Sequence, residues 1–526
     1  MFFPMRRMNP EGVHLHKHAI LCRSNHPRLS VQGAAVNTQW LYLSAAQLVQ
    51  ALRTGDISSR ALLEAYIQQI EAKNPQINAV VATDFEAARQ RADAADQALL
   101  RGHIWGPLHG LPLTIKDTYE VPGMPCTAGA PMLRHHHPPK PAVAVQRLLD
   151  AGAIVLGKTN VPLFASDLQS YNKVYGTTCN PWNPQLTPGG SSGGAAAALA
   201  AGFTALELGS DIGGSIRIPA HFCGVYGHKT TYGVISLRGH IPGPPGTLGE
   251  PDLAVAGPMA RTAQDLSLML DVLAGPSPSI AGGWQIQLPV TTKTRLSEFR
   301  VLMWLDDPLC PIDAQMTAMY QQLQSTLQAQ GVQVTVGAPL GMNILDFYPT
   351  YLNLLGSVTG ASQNRLVRYA MGLFAPVMAV IGKYVGAPKF FENYLEGVAQ
   401  SHADWIRVHE KRLRLIENFK PVFETYDVVL MPATATTAFK HLHKPELPMR
   451  KLVINGEKRG YTELFMWIAP ATVMGLPATS APIGSTSQGV PVNVQILGAA
   501  FQDKTTLKFA ELLAPVMGGF VPPPGY

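Results

Sequence analysis

A chain of 526 residues with 46% hydrophobic and only 14% charged residues favours a large buried core over a charged, solvated surface. Its formal charge of +6 is modest for this length, and no Lys/Arg block is interleaved with aromatics, which argues against a nucleic-acid partner. No run approaches the ~18 consecutive apolar residues of a membrane span, and five scattered cysteines (Cys22, Cys126, Cys179, Cys223, Cys310) without C-x-x-C spacing point to reduced thiols and away from a disulfide framework or zinc ribbon.

Residues 1–38 read as an irregular N-terminal arm. The opening MFFPMRRMNPEGVHLHKH lacks the apolar core of a signal peptide, so a cytoplasmic protein is expected. His14, His16 and His18 alternate, and His135 to His137 form a second tract. Neither has a carboxylate or Cys partner at helical spacing, so both read as surface histidines, not metal ligands.

Three amphipathic helices follow. Ser44 with Gln47 makes a capping box, Leu48 and Leu52 face inward, and Gly55 ends the first. Ser58 or Ser59 caps the second, which carries Leu62, Leu63, Tyr66, Ile67 and Ile70 on one face before Asn74-Pro75. Thr83 with Glu86 caps the third, which runs to Gly102.

The period then changes. An apolar strand, Leu111 to Ile115, delivers Lys116 and Asp117 at its end. Ala153 to Lys158 is a second strand, with a crossover helix at Val143 to Ala151, so the pattern is βαβ with parallel strands. A lysine reached through so apolar a strand is expected to be buried, which lowers its pKa from about 10.4 toward neutrality. Thr177 to Pro188 is a turn-rich lead-in.

Thr187 to Pro219 organises the rest: TPGGSSGGAAAALAAGFTALELGSDIGGSIRIP. Two glycine-flanked serines, Ser191 and Ser215, stand at the ends of an alanine-rich run. The run predicts a helix followed by a strand or a second turn that folds one serine loop back toward the other. Consecutive glycines before Ser215 let successive N–H groups point into one concavity. Donors aimed at a developing oxyanion are often the largest catalytic contribution.

More strands are expected from Tyr226 to Leu237, a Gly/Pro-rich loop over Gly239 to Pro258, and a helix opened by Arg261-Thr262 and running through Leu273. Val301 to Trp304 and Tyr426 to Pro432 read as strands, and Ala478 to Pro482 and Val492 to Leu497 as late strands of the same sheet. Between them, about Pro311 to Lys420 reads as mostly helical, with one long segment from Asn393 to Phe419. Met371 to Gly382 is its most apolar patch, read as a substrate-channel or core helix, with a membrane-surface lid as the alternative. With no internal repeat or linker, 39–526 is expected to be one domain.

Three motif blocks carry a specific likeness. They are Ile115-Lys116-Asp117, Pro188-Gly189-Gly190-Ser191-Ser192-Gly193-Gly194, and Gly209-Ser210-Asp211-Ile212-Gly213-Gly214-Ser215-Ile216-Arg217. The chain resembles the amidase signature family of serine hydrolases, and the likeness extends through Gly157-Lys158-Thr159-Asn160, Gly257-Pro258-Met259, Gly475-Leu476-Pro477 and Gln495-Ile496-Leu497-Gly498. It covers most of the chain from about Leu43.

The resemblance implies an α/β/α sandwich with a large mixed, mostly parallel, twisted sheet. The signature core would span about 105–270, and a helical insertion at about 311–420 would shape the substrate pocket. It implies a Ser–cis-Ser–Lys triad in which Ser215 attacks an amide carbonyl, Ser191 relays its proton, and neutral Lys116 receives it. A serine hydroxyl does need such a base. By the same likeness Gly190 and Ser191 are joined by a cis bond, and the N–H groups of Ile212, Gly213, Gly214 and Ser215 form the oxyanion hole. Asp211 and Arg217 brace the loop, Ser210 orients Lys116, and Ser192 rivals Ser191 for the relay.

No cofactor or metal is implied. The expected substrate is a small, neutral, hydrophobic amide, with esters and carbamates also within reach. A homodimer stays open. Two departures from the family pattern, Asn493 and Leu163, lie off the triad and are expected to alter packing or pocket shape.

Rival readings remain. A flexible linker at GGSSGG conflicts with the helix-forming alanines that follow, and a P-loop lacks its lysine. An α/β-hydrolase elbow fits G-x-S-x-G at Gly189 to Gly193 and at Gly190 to Gly194, but NPWNPQLTP is no apolar strand. Its Ser–His–Asp mechanism would require a histidine such as His221 or His228. Within the family the alternative is the glutaminase subunit of a tRNA-dependent amidotransferase, although Tyr232 to Pro242 looks more like stand-alone amidases. A non-catalytic ligand-binding relative is the third class.

Overall fold

The structure, a computed structural model, describes residues 38–241 and 243–526. The expectations for the N-terminal arm, including His14, His16, His18 and Cys22, lie outside the described residues.

Local chemistry sets most element ends. Helix α1 (Ala45–Thr54) starts at the Ser44/Gln47 capping box and stops at Gly55, whose φ of 78° suits glycine. Ser58 caps α2 (Ser59–Ile77), while Ser59 lies inside it and donates to Gly110 O at 2.6 Å. This helix continues through Pro75, and Asn74 Oδ1 shapes its exit by accepting from the N–H groups of Ala79 and Val80. The next cap is Asp84, not Thr83. Thr83 ends a short strand, β1 (Val80–Thr83), and Asp84 Oδ1 accepts from Ala87 N to start α3 (Phe85–Leu100).

Then come β2 (Pro112–Lys116), α4 (Val143–Asp150), β3 (Ile154–Thr159), α5 (Gly193–Ala200), β4 (Leu206–Asp211), α6 (Arg217–Cys223) and β5 (Tyr226–Lys229). The expected loop at Gly239 to Pro258 ends in a strand, β6 (Val255–Ala260), before α7 (Ala263–Leu273). Gly257 and Pro258 mask it in the sequence. A Cβ on Gly257 would sit 2.0 Å from His228 O, so the sheet itself requires the glycine.

The C-terminal half holds β7 (Arg300–Met303), α8 (Ala314–Ala329), β8 (Gln333–Val336), α9 (Ile344–Gly360), α10 (Arg365–Ile381), α11 (Phe391–Ala399), α12 (His402–Thr425) and β9 (Val428–Pro432). After a small hairpin (Lys451–Ile454 with Glu457–Gly460) come α13 (Ala469–Val473), β10 (Ala478–Ser485), β11 (Pro491–Leu497) and α14 (Asp503–Met517). The segment read as one long helix is two, because Ser401 opens α12 with its own capping box to Asp404.

Strands β1 to β11 form one eleven-stranded sheet in the order β1-β3-β2-β4-β6-β5-β10-β11-β9-β7-β8, and the described residues hold two further two-stranded pairs, the small hairpin and Tyr171–Asn172 with Gly176–Thr177. The large sheet is mixed. The parallel pairs sit in two wings, β3-β2-β4 and β9-β7-β8, and every other neighbouring pair is antiparallel, so "mostly parallel" holds only in the wings. Every residue of β2, β3, β4, β6, β9 and β11 is buried. Alternate residues face opposite ways, so both faces are covered, which explains the continuous apolar runs.

Helix α10 overturns the core-helix reading of Met371 to Gly382. Within the helix only Ala375 is buried, whereas Leu373, Phe374, Val377, Val380 and Ile381 are exposed. Its Gly372 approaches Ala399 of α11, and Gly397 of α11 packs on the Asn353 backbone of α9. No described helix is long and apolar enough to cross a membrane.

Candidate active site

β2 lies between β3 and β4, in parallel register with both, and carries Lys116 into the interior at its C-terminal end. Lys116 Nζ lies 2.7 Å from Ser191 Oγ, 3.0 Å from Ser210 Oγ and 3.4 Å from Ser210 O. Burial pushes the amine down to about 7, against the upward pull of the Asp211 and Glu207 carboxylates. Burial also pushes Glu207 up to about 8, against the hydrogen bonds it accepts from Thr159 and Leu208 N.

The first serine loop enters α5. The Gly190–Ser191 peptide bond is cis. Ser192 N–H donates to Ser215 O at 3.1 Å and binds the two serine loops together, while Ser192 Oγ turns to Ser210 O at 3.4 Å. All eight residues of α5 are buried, and a Cβ on Gly194 would meet Asn160 N at 2.4 Å. The small-residue run is what lets the helix lie so close to the sheet.

Gly190 is equally confined, since an added Cβ would meet Asp167 O and Gln169 N at 2.6 Å and Leu168 C at 2.7 Å. All three are backbone atoms that cannot rotate aside. Gly190→Ala is expected to destabilise the fold by roughly 1–3 kcal/mol through overpacking, read from the urea midpoint. A midpoint equal to wild type would show that the loop has room to move.

The second loop leaves β4 at Asp211, and one carboxylate organises it. Asp211 Oδ1 accepts from Gly214 N (2.9 Å) and Arg217 Nη2 (2.8 Å), and Oδ2 from Ile216 N (3.0 Å) and Arg217 Nε (3.1 Å). Burial pushes this carboxyl up, but the Arg217 guanidinium and these donors outweigh it and hold it down to about 2. Arg217 also donates to Gln495 Oε1 on β11 (2.7 Å), Thr472 Oγ1 on α13 (2.8 Å) and Ile468 O (3.1 Å).

Gly214 N–H is thus committed to Asp211. The N–H groups of Ile212, Gly213 and Ser215 have no protein partner among the described residues. Ser215, 5% exposed, makes no side-chain hydrogen bond there either. Tyr351 Oη donates to Ile212 O at 3.2 Å, and a Cβ on Gly213 would meet the Phe465 ring at 2.9 Å. These parts can hold an oxyanion beside a serine whose neighbouring loop carries a hydroxyl–amine pair.

The histidines that an elbow mechanism would need are otherwise engaged. His228 Nδ1 pairs with Thr479 Oγ1 at 2.8 Å and Nε2 with Asp503 Oδ1 at 3.1 Å, deep in the sheet. His221 Nδ1 accepts from Asn493 N at 2.8 Å, which leaves the ring proton on Nε2, an atom with no partner among the described residues and no lone pair to act as a base. Asn493 Nδ2 also bonds Val225 O and Ser480 Oγ, so this departure acts on packing between β5, β10 and β11. Leu163, the other departure, is exposed.

Sequence reasoning missed His240, Tyr351, Phe465 and Thr472 as site residues. His240 Nε2 lies 2.9 Å from Ser210 Oγ. Its GHIP context was visible, but nothing local connects it to a residue 30 positions earlier.

Comparison with known proteins supplies the context. The Amidase family model matches residues 61–507. The A-type subunit of the glutamyl-tRNA(Gln) amidotransferase of Synechococcus sp. (strain CC9605) is 32% identical over 479 residues, spanning 88% of this chain and 94% of that protein. A crystal structure of an amidase shares 28% identity at TM-score 0.69, over 90% of this chain and 100% of that one. The 6-aminohexanoate cyclic dimer hydrolase complexed with substrate shares 27% identity at TM-score 0.71, over 91% and 97%.

Proposed function

The chain belongs to the amidase signature family of serine hydrolases, and on that premise we propose that it is a stand-alone amidase working through an acyl-enzyme on Ser215. The observation that carries the reading is the 2.7 Å contact between Lys116 Nζ and Ser191 Oγ, in a loop bonded to Ser215 O through Ser192 N–H. Ser215 Oγ attacks the amide carbon as its proton passes to Ser191 Oγ, and the Ser191 proton passes to the Lys116 lone pair. The new oxyanion is held by the N–H groups of Ile212, Gly213 and Ser215. Lys116 then returns the proton through Ser191 to the leaving nitrogen, so the C–N bond breaks and ammonia or an amine departs. Water repeats the sequence and frees the acid.

The surroundings favour a neutral, hydrophobic linear amide. Phe465 and Tyr351 close on Gly213, and Ile468 packs on Gly214. A glutamine substrate carries an ammonium and a carboxylate, and charges taken from water need charged partners. The amidotransferase reading remains the second one, favoured by the 32% identity to one component of such an enzyme.

The test is partitioning. With hydroxylamine present, several amides and esters of one acid should yield the same ratio of hydroxamate to acid, since all pass through one acyl-enzyme. Ratios that change with the leaving group would rule the intermediate out. The same panel, with an anilide, a carbamate and glutamine added, ranks the substrate classes, and turnover of glutamine alone would favour the amidotransferase reading.

The lysine also sets a pH dependence. Because Lys116 must be neutral and is held down to about 7, kcat/KM should fall about tenfold per pH unit below that point and level off above it. A profile flat to pH 5 would remove Lys116 as the base.

A further inference from the structure

Lys116 Nζ faces two hydroxyls and one carbonyl: Ser191 Oγ at 2.7 Å, Ser210 Oγ at 3.0 Å and Ser210 O at 3.4 Å. A neutral amine has two N–H bonds and one lone pair. The carbonyl can only accept, so one N–H goes there. The other N–H and the lone pair are left for the two hydroxyls. Whichever hydroxyl donates into the lone pair is the one that Lys116 deprotonates, and nothing in the lysine chooses between them.

His240 can make that choice. Its Nε2 lies 2.9 Å from Ser210 Oγ, on the third side of the same hydroxyl. The ring is fixed edge-on against Tyr119, with centroids 4.7 Å apart and planes at 71°. The backbones of Tyr119 and His240 form a bridge, and Tyr119 Oη donates to Gly209 O at 2.7 Å, one residue before Ser210. Ring, tyrosine and serine thus make one rigid unit.

We propose that His240 is a positioning residue of this reaction: its neutral ring accepts the Ser210 O–H at Nε2, Ser210 Oγ therefore accepts from Lys116, and the lysine lone pair is left to Ser191 alone. The inference rests on the relay proposed above. The neutral ring fits its surroundings, because burial and the Lys116 amine hold His240 down to about 3. Lys116 from β2 and Tyr119 from the turn after it face the ring. Glu207 and Asp211 of β4 act on Lys116, and Glu120 is turned to His136. A protonated His240 could only donate to Ser210, whose O–H would then compete with Ser191 for the lone pair.

The test uses two variants of the full-length enzyme. His240→Phe keeps a ring against Tyr119 and removes the acceptor, whereas His240→Gln keeps an acceptor at about the same reach. His240→Phe should lower kcat roughly 10- to 100-fold, the scale of a small misplacement of reacting groups, with KM little changed. Without the histidine, Ser210 is a poorer acceptor for the ammonium, so the acid limb of kcat/KM should also move to lower pH. His240→Gln should restore most of kcat and return the limb.

Wild-type kcat and an unmoved limb in His240→Phe would overturn the proposal. So would a loss that tracks a lowered unfolding midpoint and that His240→Gln does not restore. Ser215→Ala and Lys116→Met, assayed beside them, separate the two levels. If those variants stay active the acyl-enzyme reading itself fails, and if they are inactive while His240→Phe matches wild type, only the role of His240 fails.

Discussion

Ser215→Ala is expected to lower kcat for amide hydrolysis by roughly 10⁴- to 10⁶-fold, the range over which loss of a serine nucleophile is felt in triads that act as a unit. The change deletes one oxygen from a residue whose side chain makes no hydrogen bond among the described residues, so the unfolding midpoint should stay where it is. Lys116→Met, which keeps an unbranched apolar stem of nearly the same length but removes the amine, should cost nearly as much. In the proposed relay nucleophile and base serve one proton path, so the double variant should be hardly worse than either single one. Multiplying losses would mean that Lys116 acts elsewhere. His228→Asn separates the elbow mechanism: its ring is engaged with Thr479 and Asp503, so chemistry in the folded variant should survive. A folded but inactive His228→Asn beside an active Ser215→Ala would replace the lysine mechanism with a histidine one.

The sequence made the candidate catalytic strip legible because its chemistry is local. Gly213 and Gly214 stand beside Ser215, and a buried strand announces Lys116. Helix ends were legible where a side chain meets its own backbone, as at Ser44 with Gln47 and at Gly55. What could not be read depends on distant partners. β6 looked like loop because Gly257 and Pro258 obey the His228 carbonyl and the neighbouring strands, not local propensity. Thr83 looked like a cap until β1 paired with β3 and passed the role to Asp84. Apolar content alone does not say which way a helix faces, so α10 could be read as core although its large side chains point outward. In the loop from Ile212 to Ser215, four consecutive N–H groups looked equivalent as oxyanion donors. The turn of the Asp211 carboxylate onto Gly214 is what removes one of them.

That carboxylate leads to the largest expected effect on stability. Arg217→Met would leave Asp211 buried without the guanidinium that pairs with it, a change that typically costs roughly 3–5 kcal/mol when one partner of a buried pair is removed. Arg217→Lys should recover little, because one ammonium cannot reach Asp211, Gln495 and Thr472 together as the guanidinium does. The pH dependence has a definite sign. In the wild type the Asp211 carboxyl is held down to about 2 from 3.8, so its ionised form adds about 2 kcal/mol at neutral pH. That contribution is present above about 4 and is lost as pH falls toward 2. In Arg217→Met, burial acts unopposed by the guanidinium, the folded-state pKa rises, and the variant is penalised as pH climbs through the carboxylate range. The gap between the two proteins in urea denaturation should therefore be wide at pH 7 and smaller at pH 3.5, where the variant's carboxyl is protonated. Catalysis should suffer with it, in kcat more than KM, since the same carboxylate holds Gly214 N and Ile216 N and so shapes the loop whose Ile212, Gly213 and Ser215 N–H groups are proposed to meet the oxyanion. A gap that is equal at both pH values would show that Arg217 serves packing alone and that Asp211 is organised by the backbone N–H groups without it.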